Sequence, residues 1–157
     1  MEVDYESILY EIAQGNYRYI GSGSARRVFD LGNGYVIKIA KNDKGLAQNQ
    51  VEFMISNKDD SGLFARVMDM SSNERYLIME RAGHVYDIGE VFDYFNVRSE
   101  RYFLHLTEIQ KIVSKYDLVK ADLLRPTSWG SIGREIVIID YGFTHQVRAN
   151  YYHKRRG

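Results

Sequence analysis

An α+β fold, with its strands early in the chain and most of its helices late, is predicted by a change of rhythm in the sequence. From Tyr17 to Glu80, short apolar runs alternate with turns rich in glycine, serine and asparagine, which is the signature of strands. From Arg81 onward, apolar residues mostly return every three or four positions, which is helix spacing. Strands grouped first and helices second favour α+β over an alternating α/β architecture.

The elements follow in order. "DYESILYEIAQG" sets Ile8, Leu9, Ile12 and Ala13 at helical spacing, with Gly15 as its stop. Tyr17–Gly21 and Arg26–Leu31 read as strands, and "GNG" at 32–34 turns the chain into a third strand, Tyr35–Ala40. "KGLAQNQVEFMISNK" places Leu46, Val51, Met54 and Ile55 on one helical face. Ala65–Met70 and Arg75–Glu80 are two more strands, joined by the polar "SSNE". "ERAGHVYDIGEVFDYF" is a connector with a short helix. Ser99–Lys115 is predicted as one amphipathic helix, carrying Tyr102, Phe103, Leu106, Ile109, Ile112 and Val113. "DLVKADLLRPTSWGSIGRE" reads as a loop, and "EIVIID" as a buried strand ended by "DYGF".

Composition narrows the function. The chain has 157 residues, 45% of them hydrophobic, enough for one domain or two small lobes. Its 21 basic and 21 acidic residues balance, so no global field steers it to nucleic acid or a membrane. There is no cysteine, which excludes disulfide and thiolate chemistry. No apolar run approaches the roughly 20 residues of a membrane span, and the acidic, amphipathic start is unlike a secretory signal; a cytoplasmic location is expected. His84, His105, His145 and His153 lack metal-ligand spacing. The thirteen tyrosines read mainly as packing, with Tyr151 and Tyr152 as candidate partner anchors, and "HKRR" near the end as a solvated helix terminus. Trp129 is expected to plug the core of the second half.

Three features carry chemistry. The turn "GSGS", Gly21–Ser24, lets backbone N–H groups approach an anion and adds two hydroxyls; a plain hairpin would also use it. Lys38 in "VIKIA" shares a strand face with Val36 and Ala40, and Glu52 is its natural partner if the following helix packs over the sheet. Asp140, after a buried strand and before Tyr-Gly, suits a hard cation, or simply starts a turn.

In this order the pieces resemble the protein kinase-like fold along nearly the whole chain. "GSGSARRV" resembles the glycine-rich loop at Gly21, Gly23 and Val28, with Arg26 in place of the third glycine. The guanidinium of Arg26 is expected to point to solvent. "VIK" resembles the strand whose lysine grips ATP phosphates, making Lys38 that lysine and Glu52 its helical partner. "YLIMERAG" looks like the last strand and hinge, with Glu80 where backbone groups meet adenine. "VKADLLRPTSWG" resembles the catalytic loop, with Asp122 as candidate base, and "IIDYGF" the metal-binding motif. The resemblance implies a five-stranded antiparallel sheet with one helix and a truncated helical C-terminal lobe. It places the N-lobe at about 1–81, the hinge at 81–85 and the C-lobe at 86–157 of one minimal domain. It implies ATP on Gly21, Ser22, Gly23, Ser24, Val28, Lys38 and Glu80. Mg²⁺ would sit on Asp140 and Ser128, with Lys38, Glu52 and Asp122 in catalysis.

The departures open a second reading. Lys120 and Ala121 stand where a histidine-arginine pair is expected, and Ser128, six residues after Asp122, is the nearest equivalent of a metal-binding asparagine. Anchoring the register on "SWG" instead places Leu123 at the base position. Only fifteen residues follow Gly142, too few for an activation segment and the helices that dock protein substrates. The implied functions are therefore a minimal phosphotransferase, or an inactive pseudokinase that binds or inhibits a protein partner. Compact chains of this kind occur in phages and mobile elements.

Overall fold

The computed structural model describes residues 2–151; Tyr152, His153 and the rest of the basic terminus lie outside them. Two compact units are present: Met1–Asn57 with Arg66–Arg81, and Lys58–Ala65 with Ala82–Gly157.

The first unit opens with α1 (Tyr5–Ala13), capped by the Asp4 carboxylate, which accepts from Ser7 N–H at 3.1 Å. Strands β1 (Arg18–Ser22), β2 (Arg26–Asp30), β3 (Tyr35–Ala40), β4 (Val67–Met70) and β5 (Tyr76–Glu80) form one antiparallel sheet in the order β1-β2-β3-β5-β4. The β2–β3 turn needs its glycines: Gly32 and Gly34 take φ of 76° and 89°, a region L-residues avoid. Helix α2 (Asp43–Lys58) links β3 to the chain before β4.

Each sheet face has its own use. Phe29, Leu31, Ile37, Ile39 and Ile78 form an apolar cluster against Val3, Tyr5, Ile8, Leu9 and Ile12 from α1 and the residues before it. Tyr5 also stacks on Tyr76, ring centroids 5.6 Å apart, and donates its hydroxyl to Asp69 on the edge strand. The alternate positions, Val28, Lys38 and Leu77, are paired across β2, β3 and β5 and so lie on the other face.

The burial of α2 differs from the expected face. Met54 is 45% exposed, Leu46 and Val51 are only partly covered, and the buried side includes Gln48, Asn49, Glu52 and Ser56 beside Ile55. An ion-pair network, described below, holds this face where apolar contact was expected.

In the second unit, β6 (Gly83–His84) leads to α3 (Ile88–Tyr94), whose Asp87 and Glu90 form a reciprocal capping box. The helix expected over Ser99–Lys115 is two, α4 (Glu100–Leu104) and α5 (Thr107–Tyr116). The break at His105–Leu106 contains no proline or glycine. It lets Phe103 pack among Phe92, Phe95 and Trp129 at centroid distances of 5.3–5.9 Å, while Ile109 stays buried. The segment read as a loop before "EIVIID" holds two 3₁₀ turns, Lys120–Leu124 and Pro126–Ser128, and a strand, β7 (Trp129–Ile132). That strand lies between β6 and β8 (Glu135–Ile138) in a three-stranded sheet. Leu63–Ala65 runs along β8: Ile138 N–H donates to Leu63 O at 2.7 Å and Ala65 N–H to Ile138 O at 2.9 Å. Helix α6 (His145–Tyr151) closes the described chain. None of the described helices is long and apolar enough to cross a membrane.

Candidate functional site

In the first unit the register of the sheet aligns the predicted residues. Gly21 pairs with Val28, Val28 with Lys38 and Lys38 with Leu77, so one rung crosses β1, β2, β3 and β5. From that rung the Lys38 ammonium donates to Glu52 Oε1 at 2.9 Å. Glu52 is wholly buried and Lys38 only 6% exposed.

Arg26, expected in solvent, is instead buried and faces the same carboxylate. Its Nη1 and Nη2 donate to Glu52 Oε1 and Oε2 at 2.7 and 2.9 Å, a two-pronged contact. Nη1 also donates to Asn49 Oδ1 at 3.0 Å, and the Asn49 amide donates to Glu74 O at 2.9 Å. The physical reason is position: Arg26 opens β2 opposite Ala40, on the Lys38 side of the sheet, where a buried anion waits. Burial alone would raise the Glu52 pKa, but the charges of Arg26 and Lys38 outweigh it and hold it down to about 2.

The glycine turn is tied down by its carbonyls. Gly23 O accepts from Lys41 Nζ at 2.6 Å, Ser24 O from the Asn42 amide at 3.0 Å, and Ala25 O from Lys41 N–H at 2.8 Å. Gly23 N–H itself donates to Arg26 O at 3.0 Å. Neither Gly21 nor Gly23 has a positive φ, and a Cβ added at either would meet nothing within 4 Å. The described fold therefore does not demand glycine at these two positions. It leaves room there, as a phosphate approaching the backbone would need.

Glu80, predicted to lie where backbone groups meet adenine, ends β5. Its N–H donates to Arg66 O at 2.9 Å, and its carboxylate accepts Arg66 N–H at 2.8 Å.

The second unit gathers Asp122, Ser128 and Asp140. Asp122 lies on the first 3₁₀ turn, partly buried, with Arg125 Nη2 at 3.5 Å from its Oδ1. That turn is anchored by Trp129, whose buried indole N–H donates to Leu123 O at 2.9 Å. The Leu123 side chain is itself 2% exposed, in the core. Ser128 O accepts from Ile139 N–H at 2.8 Å and from Asp140 N–H at 3.4 Å, which brings the predicted metal residues side by side. The following Tyr141 is buried, its ring tilted against Phe64 at a centroid distance of 4.7 Å, with its hydroxyl donating to Ala65 O at 2.6 Å.

Burial raises the Asp122 pKa, and the neighbouring Asp140 carboxylate pushes the same way, against Arg125, Arg148 and His145. Two carboxylates that feel each other suit a hard cation, which lowers the cost of keeping both charged. Among the described residues no three histidine, aspartate or glutamate side chains gather as a metal site.

Sequence reasoning missed Asn49, Lys41, Asn42 and the role of Arg26. Asn49 had a readable signal, since it stands one helical turn before Glu52. Lys41 and Asn42 follow a strand with no pattern that reveals a distant carbonyl.

No protein-family model matches the sequence, and no curated protein matches it. Among solved structures, the streptomycin–ATP–APH(2")-IIa ternary complex matches with a TM-score of 0.50 and 17% identity, over 90% of this chain and 72% of that one. The gentamicin complex of the same aminoglycoside phosphotransferase aligns at 17% identity and a TM-score of 0.49, over 90% and 71% of the two chains. With its five-stranded antiparallel sheet, helix α2 and the largely helical part that follows, the chain has a protein kinase-like fold.

Proposed function

We propose that the chain binds ATP with Mg²⁺ and transfers the terminal phosphoryl group to a hydroxyl-bearing acceptor. The observation that carries this reading is the rung Gly21–Val28–Lys38, with the Lys38 ammonium held by the buried Glu52. It gives unit one a cation beside backbone with room for an anion. The structure that shares the fold, APH(2")-IIa, holds ATP.

In this reading Gly21–Ser24 and Lys38 bind the phosphates, Val28 covers the nucleotide, and the backbone near Glu80 meets the adenine. Asp140, with Ser128, would hold Mg²⁺, which supplies charge neutralisation for the phosphates. Asp122 would orient the acceptor hydroxyl and take its proton as the new P–O bond forms and ADP departs. A pKa raised above the ordinary aspartate value makes it a better base than a fully solvated carboxylate.

One observation favours the pseudokinase reading, in which the fold docks or inhibits a protein. Ser128 is 4% exposed, so its hydroxyl is poorly presented to a second metal.

Calorimetric titration with Mg-ATP tests binding: Lys38→Ala is expected to weaken it by about tenfold or more, since a charge-assisted contact is lost. Transfer of labelled phosphate tests catalysis. Asp122→Asn and Asp140→Ala should abolish it in folded protein. Binding without transfer in the wild type would select the pseudokinase reading, and no binding at millimolar Mg-ATP would end both nucleotide roles.

A further inference from the structure

We propose that Arg26, not Lys38, is the residue that holds α2 in place, so that Lys38 can turn from Glu52 to a bound phosphate without the helix moving. Arg26 is thus a positioning residue; its link to ATP rests on the function proposed above.

The geometry sets the two cations apart. Arg26 reaches both oxygens of Glu52, at 2.7 and 2.9 Å, whereas Lys38 donates to Oε1 at 2.9 Å. A planar guanidinium fork fixes the orientation of a carboxylate, and an ammonium on a flexible stem does not. Arg26 also bonds Asn49, one turn earlier on α2, and Asn49 continues to Glu74 in the β4–β5 connection. Three parts of the first unit are therefore joined through two side chains in series: Arg26 ties the strand leaving the glycine turn to the helix, and Asn49 ties the helix to the β4–β5 connection.

Gly45 adds independent support. A Cβ there would collide with Ala25 O and would lie 2.8 Å from the Ala40 Cα and Cβ atoms. The first turn of α2 thus lies directly against the residue preceding Arg26. Helix and strand entry are thus held close at a second place, the Gly45 contact with Ala25 and Ala40, besides the Arg26–Glu52 contact.

Amide hydrogen exchange without nucleotide tests the clamp itself. In Arg26→Met, amides of α2 and of the 21–25 turn should exchange about tenfold faster or more, while Lys38→Met should change them by less than about threefold. Equal loosening by the two variants, or none by Arg26→Met, would overturn the proposal. Should Arg26→Met fail to fold, Arg26→Lys carries the same comparison, with intermediate loosening expected, because it keeps the charge and loses the fork.

Ligand affinity then separates positioning from bulk stability. In folded Arg26→Met, affinity for Mg-ATP should fall while affinity for adenosine stays within about twofold, and Arg26→Lys should restore part of the loss. Parallel loss of both ligands would mark Arg26 as merely structural. Wild type that binds no Mg-ATP would end the functional reading, and the exchange comparison alone would then decide the clamp.

Discussion

Glu52 stays ionised with none of its surface exposed because Arg26 and Lys38 outweigh its desolvation. The sign of its pH effect follows. Its folded pKa is depressed from 4.5 to about 2, so its contribution is complete above about 4.5 and is lost as pH falls toward 2. Glu52→Gln should cost about 3–5 kcal/mol at neutral pH, since it leaves two buried cations facing an amide. The gap between variant and wild type, measured by denaturation across pH, should shrink below about pH 4.5. Asp122 has the opposite sign. Its pKa is raised, so the fold favours the neutral form and loses stability as pH rises through the shifted value. Asp122→Asn should therefore melt no lower than wild type at neutral pH, with any gain vanishing in acid. A lower melting temperature at pH 7 would mean that the carboxylate supports the 3₁₀ turn.

Helix α2 is the element on which packing and sequence pattern disagree most. Alanine is about 1 kcal/mol better than glycine in a helix interior, yet Gly45→Ala is expected to destabilise the protein by about 1–3 kcal/mol. The new methyl group meets backbone at Ala25 and Ala40, which must shift. Urea denaturation of this single variant checks it; a stabilised protein would show that α2 can slide. The same helix shows why part of the site was legible and part was not. Lys38 and Glu52 were readable because strand alternation and a following helix place them together. The buried face of α2 was not, since it joins Asn49 and Glu52 to Arg26, which sits 23 and 26 residues away in a place the sequence pattern gives to glycine. The sheet of the first unit was legible because its turns carry "GNG" and "SSNE". Strand β7 was hidden by its proline-bearing approach and by Gly130 and Ser131, poor strand formers that pairing with β8 recruits. The break between α4 and α5 was hidden too, because a tertiary contact of Phe103 sets it.

At the scale of the molecule, the two units are interleaved in sequence. Lys58–Ala65 belongs to the second, although the chain returns to the first for Arg66–Arg81. A fragment ending at Arg81 keeps all five strands of the first sheet but exposes Leu63 and Phe64, whose neighbours Ile138 and Tyr141 are absent. We expect that fragment to aggregate, and a version with Gly-Ser in place of residues 58–65 to stay soluble with strand-rich circular dichroism. Equal solubility of the two would mean that the 58–65 segment is harmless alone.

The hydroxyl of Tyr141 bonds a carbonyl 76 residues earlier, at Ala65, and this has a consequence for birth on the ribosome. Synthesis delivers the first unit early, because its last strand is complete at Glu80. The segment Leu63–Ala65 emerges within that stretch and then waits, unpaired, until β8 and Tyr141 have been made. Domains form as the chain emerges, and unpaired apolar edges are where nascent chains misassociate. Loop closure over such a span is slow compared with forming the hairpins around it. The segment that crosses out of the first unit is thus late to find its partner, and Phe64 is its buried apolar side chain left bare while it waits.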